Sequence, residues 1–235
     1  MKLPAFIRLT IRNVRVNMDP GTMMFMLGLP ALYLAVLGVM YEGIITSVPS
    51  SGGPVSYMTF LAPGVIGMEA LTAGNIGGGM LWADRRWGML EQILVGPFRR
   101  IDYLMGIMLL AVIFAIGGST IMALIAFDTS AHLFITPLNI LLLVVTLAIG
   151  TIFFSSLFLI LAIRLKSMNA YNTVTIVLFF FLDFASSSFY PITSKTPFIL
   201  QVFVNLNPLS YIVYSARDIL SYNLPNAALQ PMLVI

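Results

Sequence analysis

Long uncharged stretches alternate with short polar ones along the chain. The alternation predicts helices that cross a membrane. Thr22–Tyr41 carries no charge over 20 residues, enough for a helix to cross roughly 30 Å of hydrocarbon. Gly43–Pro54 reads as a Ser/Gly/Pro loop. Tyr57–Leu81 is a second predicted span, interrupted by Glu69, and a charged segment follows it. Tyr103–Phe127 is a third span and Asp128–Pro137 a polar connection. Leu138–Ile163 is a fourth, closed by Arg164 and Lys166. Met168–Phe189 is a fifth and carries Asp183. Pro197–Ala216 is also uncharged, but Asn205, Asn207 and Pro208 fall inside it. A helix broken there needs protein or water over its backbone, which favours a re-entrant pair. Asn226–Ile235 turns apolar again but is too short to cross, as if a sixth span were missing or truncated.

Two further segments have amphipathic patterns. Residues 3–17 set Leu3, Phe6, Ile7, Leu9, Ile11, Val14 and Val16 beside Arg8, Arg12 and Arg15. A basic stripe next to an apolar one suits a helix in the headgroup region. Asp84–Pro97 places Trp87, Leu90, Ile93 and Leu94 on one helical face, with Arg86, Glu91 and Gln92 elsewhere, and Gly96-Pro97 ends it. By itself that pattern fits either an inner loop on the membrane or a docking helix for another protein. Gly74 and Gly78 have the four-residue spacing that permits close helix approach, within one protomer rather than at a dimer seam.

Composition agrees with the pattern. Charged residues make up 9% and mean hydropathy is +0.98, whereas soluble domains carry about 25% charged residues. The expected fold is an all-α polytopic bundle with five full spans, a re-entrant pair and a sixth span missing. It forms one transmembrane domain over 1–235. Its parts are an interfacial elbow at 1–20, two spans at 22–81, a charged loop at 82–102, spans three to five at 103–192, the re-entrant pair at 193–224 and the tail at 225–235. With the N-terminus in the cytoplasm, ten of the twelve Lys and Arg residues fall inside and two, Lys195 and Arg217, outside.

Candidate chemistry is sparse. There is no cysteine and one histidine, His132, so neither a zinc site nor a His-based catalytic pair is expected. A phosphate-binding P-loop needs Gly before Lys, yet the three lysines follow Met1, Leu165 and Ser194. The chain is therefore not expected to be a P-loop ATPase. Glu69 and Asp183 are the acids well inside predicted spans, where a charge costs on the order of 3 kcal/mol. They read either as part of a translocation path, with Asn205 and Asn207, or as neutral acids that position helices.

Three stretches carry a resemblance: LAPGVIGM at Leu61–Met68, DRRWGMLEQILVGPFRRIDYLMG at Asp84–Gly106, and Ser186–Leu220 with Tyr190-Pro191, Asn207-Pro208-Leu209, Tyr211 and Arg217. In this order they resemble the permease subunit of type-2 ATP-binding-cassette exporters. The resemblance implies a homodimer or heterodimer of permeases in a prokaryotic plasma membrane, bound to cytosolic ATPase subunits. ATP and Mg would bind those subunits and no cofactor this chain, and no nucleic-acid partner is expected. It implies a coupling helix at Asp84, Arg85, Arg86, Gly88, Leu90, Glu91 and Gln92. It also implies export of a drug, lipid or glycan by alternating access. The rival readings are a proton-coupled secondary transporter and a membrane assembly protein without transport.

Overall fold

A computed structural model describes residues 3–45, 47–48, 54–129, 131–192 and 196–224. The expectations for the tail at 225–235, for Lys2 and for Lys195 lie outside the described residues.

The helix that organises the fold is the second predicted span. It runs Tyr57–Arg86, and every residue from Tyr57 to Gly74 is buried. Ser56 caps it, its Oγ accepting from the Thr59 amide at 3.2 Å, which satisfies one of the free N-terminal amides. Pro63 sits within it and has no amide for the Thr59 carbonyl one turn back. The Ser221 hydroxyl donates to that carbonyl instead, at 2.8 Å. The helix is apolar or small all round, the pattern of a helix enclosed by others.

In chain order the elements are α1 Ala5–Asn17, α2 Pro20–Glu42, α3 Tyr57–Arg86, α4 Met89–Val95, α5 Arg100–Asp128, α6 Pro137–Arg164, α7 Met168–Phe184, α8 Phe198–Leu206 and α9 Pro208–Leu220. No strand forms among the described residues; Val48 and Val55 make one isolated bridge. The fold is an all-α polytopic membrane bundle. By length and apolarity α2, α5 and α6 qualify as spans. α3 is long enough but lies inside the bundle, packed chiefly on α6 and α5.

Three details differ from the pattern read along the chain. α2 is helical throughout but widens into π-turns at Met24–Gly28 and Tyr33–Gly38. Pro30 follows the first and cannot donate to Met26, and such bulges absorb a missing bond. α7 stops at Phe184 after 17 residues, short of the expected Phe189. The Ser186 hydroxyl takes the Asp183 carbonyl at 2.6 Å and accepts from the Ser188 amide at 3.2 Å. Serine side chains thus compete with the helical ladder. The uncharged run from Pro197 breaks at Asn207, and α8 and α9 meet at 83°. The Asn207 side chain accepts from the Leu209 amide at 3.0 Å and donates to the Leu182 carbonyl at 2.6 Å. One residue therefore caps α9 and satisfies a carbonyl near the end of α7.

Gly74 and Gly78 form the α3–α6 seam within one chain. A Cβ on Gly74 would lie 2.7 Å from the Phe154 Cβ, and one on Gly78 would lie 2.5 Å from the Phe158 Cβ. Only glycine allows backbones that close.

Candidate functional site at the charged end of the bundle

Nine of the ten described Lys and Arg residues gather at one end of the bundle. α3 finishes there in Asp84-Arg85-Arg86, α5 begins at Arg100, and α6 ends at Arg164. α1 crosses this end, with Leu9, Thr10 and Asn13 buried. The Thr10 hydroxyl donates to the Phe6 carbonyl at 2.9 Å, and Leu9 would stand 3.0 Å from a Cβ on Gly106 of α5. The elbow is therefore packed on the bundle, not merely lying beside it.

Asp84 joins three elements. It accepts from Arg12 at 3.0 and 3.2 Å and from the Tyr103 hydroxyl at 2.9 Å. This is the one ion pair among the described residues. A fork-to-carboxylate pair with an added hydroxyl is strong because both charges stay hydrogen-bonded. Arg85 donates to the carbonyls of Ala162 and Ile163, the latter at 3.1 Å. Those carbonyls belong to the last turn of α6, which has no helical amides left for them. Arg8 lies over the Phe98 ring at 5.2 Å, while Arg15 is exposed. Just beyond α1, hydrogen bonds from Thr22 and Gly21 hold the Asp19 carboxyl below the usual aspartate range.

The single helix expected over Asp84–Pro97 is in fact two pieces. Asp84–Arg86 continue α3, and the chain turns at Gly88, whose φ of 67° is the left-handed conformation that favours glycine. α4 then runs Met89–Val95. Leu90 and Ile93 pack against the inner apolar cluster around Trp82 and Tyr103, while Trp87, Glu91, Gln92 and Val95 are exposed. α4 is thus a short amphipathic helix, rooted on one side and open on the other, at the end of the central helix. The ABC-2 type transporter family matches this chain over residues 5–221, from α1 to the end of α9.

The chain belongs to the ABC-2 type transporter family. It is a multi-pass membrane protein of the ABC transporter permease kind. Comparison with individually curated proteins gives no match.

In this ABC-2 permease the seven charged-loop candidates separate by environment. Asp84 and Arg85 are engaged inside the protomer, Gly88 makes the turn, and Leu90 roots α4. Arg86, Glu91 and Gln92 are exposed. Of the four path candidates, Asn207 bonds the Leu182 carbonyl beside Asp183, while Glu69 packs against Gly118 of α5. Glu69 is fully buried, and its carboxylate lies where a Cβ on Gly118 of α5 would be. Neither of its oxygens has a hydrogen-bond partner within the protomer. Asp183 is buried at the far end of α7, where Tyr33 packs edge-on against Phe184 and Phe189. Asn205 is exposed, and its carbonyl accepts from Tyr211 at 2.6 Å. Among the described residues no group of three His, Asp or Glu is placed to hold a metal.

Arg217 is the cation at the opposite end, and it is buried. Its guanidinium stacks on the Phe60 ring at 3.8 Å and donates to the carbonyls of Phe60 at 3.3 Å and Ser187 at 3.0 Å. It thereby ties α9 to α3 and to the serine run after α7. Sequence alone carries no sign of this, because the acceptors are backbone atoms. The Asp84–Tyr103 bond is equally silent, since nothing in a 19-residue separation marks two side chains as partners.

Proposed function

We propose that this permease is the membrane subunit of an ATP-driven exporter, with α4 as the element that a separate cytosolic ATPase grips. The observation that carries the reading is α4 itself. A seven-residue helix is too short to be stable alone, yet here it stands at the end of the most buried helix with one face open. Leu90 and Ile93 lock it to the core around Trp82 and Tyr103. A push on Glu91, Gln92 or Val95 would therefore reach α3, and through the Asp84 node it would also reach α1 and α5. In this reading the charged end faces the cytoplasm, a second permease copy completes the transporter, and ATP and Mg act on the partner. Nucleotide binding would close the ATPases and shift the permeases between inward- and outward-open states. The substrate would be an amphipathic drug, lipid or glycan-linked molecule.

Glu91→Arg tests this. Glu91 is exposed, so the reversal should leave the bundle folded. Binding of the ATPase subunit, or stimulation of its hydrolysis by the permease, should fall by about tenfold or more, the scale of a lost charged contact. Normal coupling in that variant would refute the assignment of α4.

A second reading rests on Glu69, a buried acid without a hydrogen-bond partner in the protomer. Such residues often mark proton routes. Transport in proteoliposomes that needs no ATPase, collapses with the proton gradient and is lost in Glu69→Gln would establish it over the first.

A further inference from the structure

The charged end has a second feature, which shares Glu91 with the α4 reading but is built mainly from the end of α3 and the α6–α7 connection. A recess of about 300 Å³ opens between the end of α3, the side of α4 and the α6–α7 connection, lined by Trp82, Arg85, Arg86, Glu91, Leu165 and Lys166. Three cations face one carboxylate. We propose that this recess binds a phosphate group, that of an anionic phospholipid in the adjacent leaflet.

Three observations support the site. Arg85 is held by the α6 terminal carbonyls, so its position is set before any ligand arrives. Arg86 lies 5.7 Å from the Trp82 ring and 5.9 Å from the Trp87 ring, which restrains a second guanidinium beside the first. Guanidinium groups meet phosphate oxygens in a planar fork, and an ammonium adds a compact charge. Lys166 supplies that ammonium immediately before Ser167, the cap of α7, where the positive end of a 17-residue helix adds a favourable field.

The surroundings fit a lipid better than a soluble anion. Trp82 stacks on Tyr171 at 5.9 Å, and aromatic residues of this kind mark the membrane–water boundary. Ile160 and Ile163 near the end of α6 and Met168 at the start of α7, which flank Leu165 and Lys166 in the chain, are exposed at 56%, 55% and 43%. They offer acyl chains apolar surface within a few residues of Lys166 along the chain. Glu91 at the rim disfavours ligands of higher charge that would crowd it. The proposal does not require α4 to dock an ATPase, because binding can be measured on the permease alone.

The test uses the full chain purified in detergent and titrated with phosphatidylglycerol, phosphatidylcholine and sodium phosphate. Binding is read by native mass spectrometry and by the shift in melting temperature. The wild type should bind phosphatidylglycerol about tenfold tighter than Arg86→Gln/Lys166→Gln, the effect of removing two charged contacts at an exposed site. Arg99→Gln/Arg100→Gln removes two exposed charges at the same end and should bind like the wild type. Equal loss in both pairs would reduce the effect to general surface charge and overturn the site. Equal binding of phosphatidylcholine would overturn the requirement for an anion. A shift that depends on Arg86 and Lys166 but is produced by sodium phosphate, and not by phosphatidylglycerol, would overturn the lipid as occupant.

Discussion

Gly78→Ala should loosen the bundle while Gly79→Ala, one residue on, should not. The added methyl at Gly78 would sit 2.5 Å from the Phe158 Cβ and 2.9 Å from its carbonyl carbon and oxygen. Carbon atoms in contact prefer about 3.5–4.0 Å, so α3 and α6 must part by roughly 1 Å. Two of the three obstructing atoms are backbone, so rotating Phe158 gives no escape. At Gly79 an added Cβ meets nothing within 4 Å. Both substitutions gain the same helix propensity, up to about 1 kcal/mol, and that gain cancels in the comparison. What remains is the overpacking, about 1–3 kcal/mol. Gly74→Ala meets Phe154 and Ser155 on the same seam and should behave like Gly78→Ala. The double variant should cost less than the two singles together, because one separation of the helices relieves both. The assay is thermal unfolding of purified protein in detergent, with chromatography to report oligomeric state. Equal melting of the Gly78 and Gly79 variants would refute the reasoning. So would a fall in Gly79→Ala alone, which would move the close approach to a surface between copies.

The Arg12–Asp84 pair should show a coupling of about 1–3 kcal/mol in a double-mutant cycle with Arg12→Ala and Asp84→Ala, since one partner removed leaves the other charge stranded. Protease sensitivity of the N-terminal helix in each variant provides the measurement, and no coupling would break the proposed link between α1 and α3. Tyr103→Phe should cost less, about 1 kcal/mol for one hydrogen bond, by the same readout. Arg217→Lys keeps the charge but loses the fork that reaches Phe60 and Ser187. It should destabilise nearly as much as Arg217→Met, by about 2–4 kcal/mol in thermal unfolding, and a neutral Arg217→Lys would show that charge alone suffices there.

Periodicity predicted α2, α5 and α6 within a few residues, because uninterrupted apolar runs leave a helix no alternative in lipid. It also found the break near Asn207, where Asn-Pro cannot continue a helix without a partner for its backbone. The five-span pattern differs from the structure at α3 and α7. Tyr57–Leu81 has the length of a span, and in the fold it is the most enclosed helix of the bundle, with every residue from Tyr57 to Gly74 buried. The apolar pattern runs from Met168 to Phe189, and the helix ends five residues sooner because the Ser186 hydroxyl bonds both the Asp183 carbonyl and the Ser188 amide. In the charged segment, composition located the water-exposed end but could not divide Asp84–Arg86 from α4. That division depends on the left-handed turn at Gly88 and on what α3 meets there.

The residues alone determined that this is a helical membrane protein and that its charge gathers beyond the apolar runs. These conclusions follow from the cost of charge in hydrocarbon and from the backbone's need for internal hydrogen bonds. Tertiary structure decided the rest. It assigned Asp84 to Arg12 and Tyr103, Arg85 to the end of α6, Gly74 and Gly78 to one seam, and Arg217 to carbonyls of two other segments. Those partners lie far apart along the chain, several of them are backbone atoms with no side-chain signature, and only packing brings them within reach.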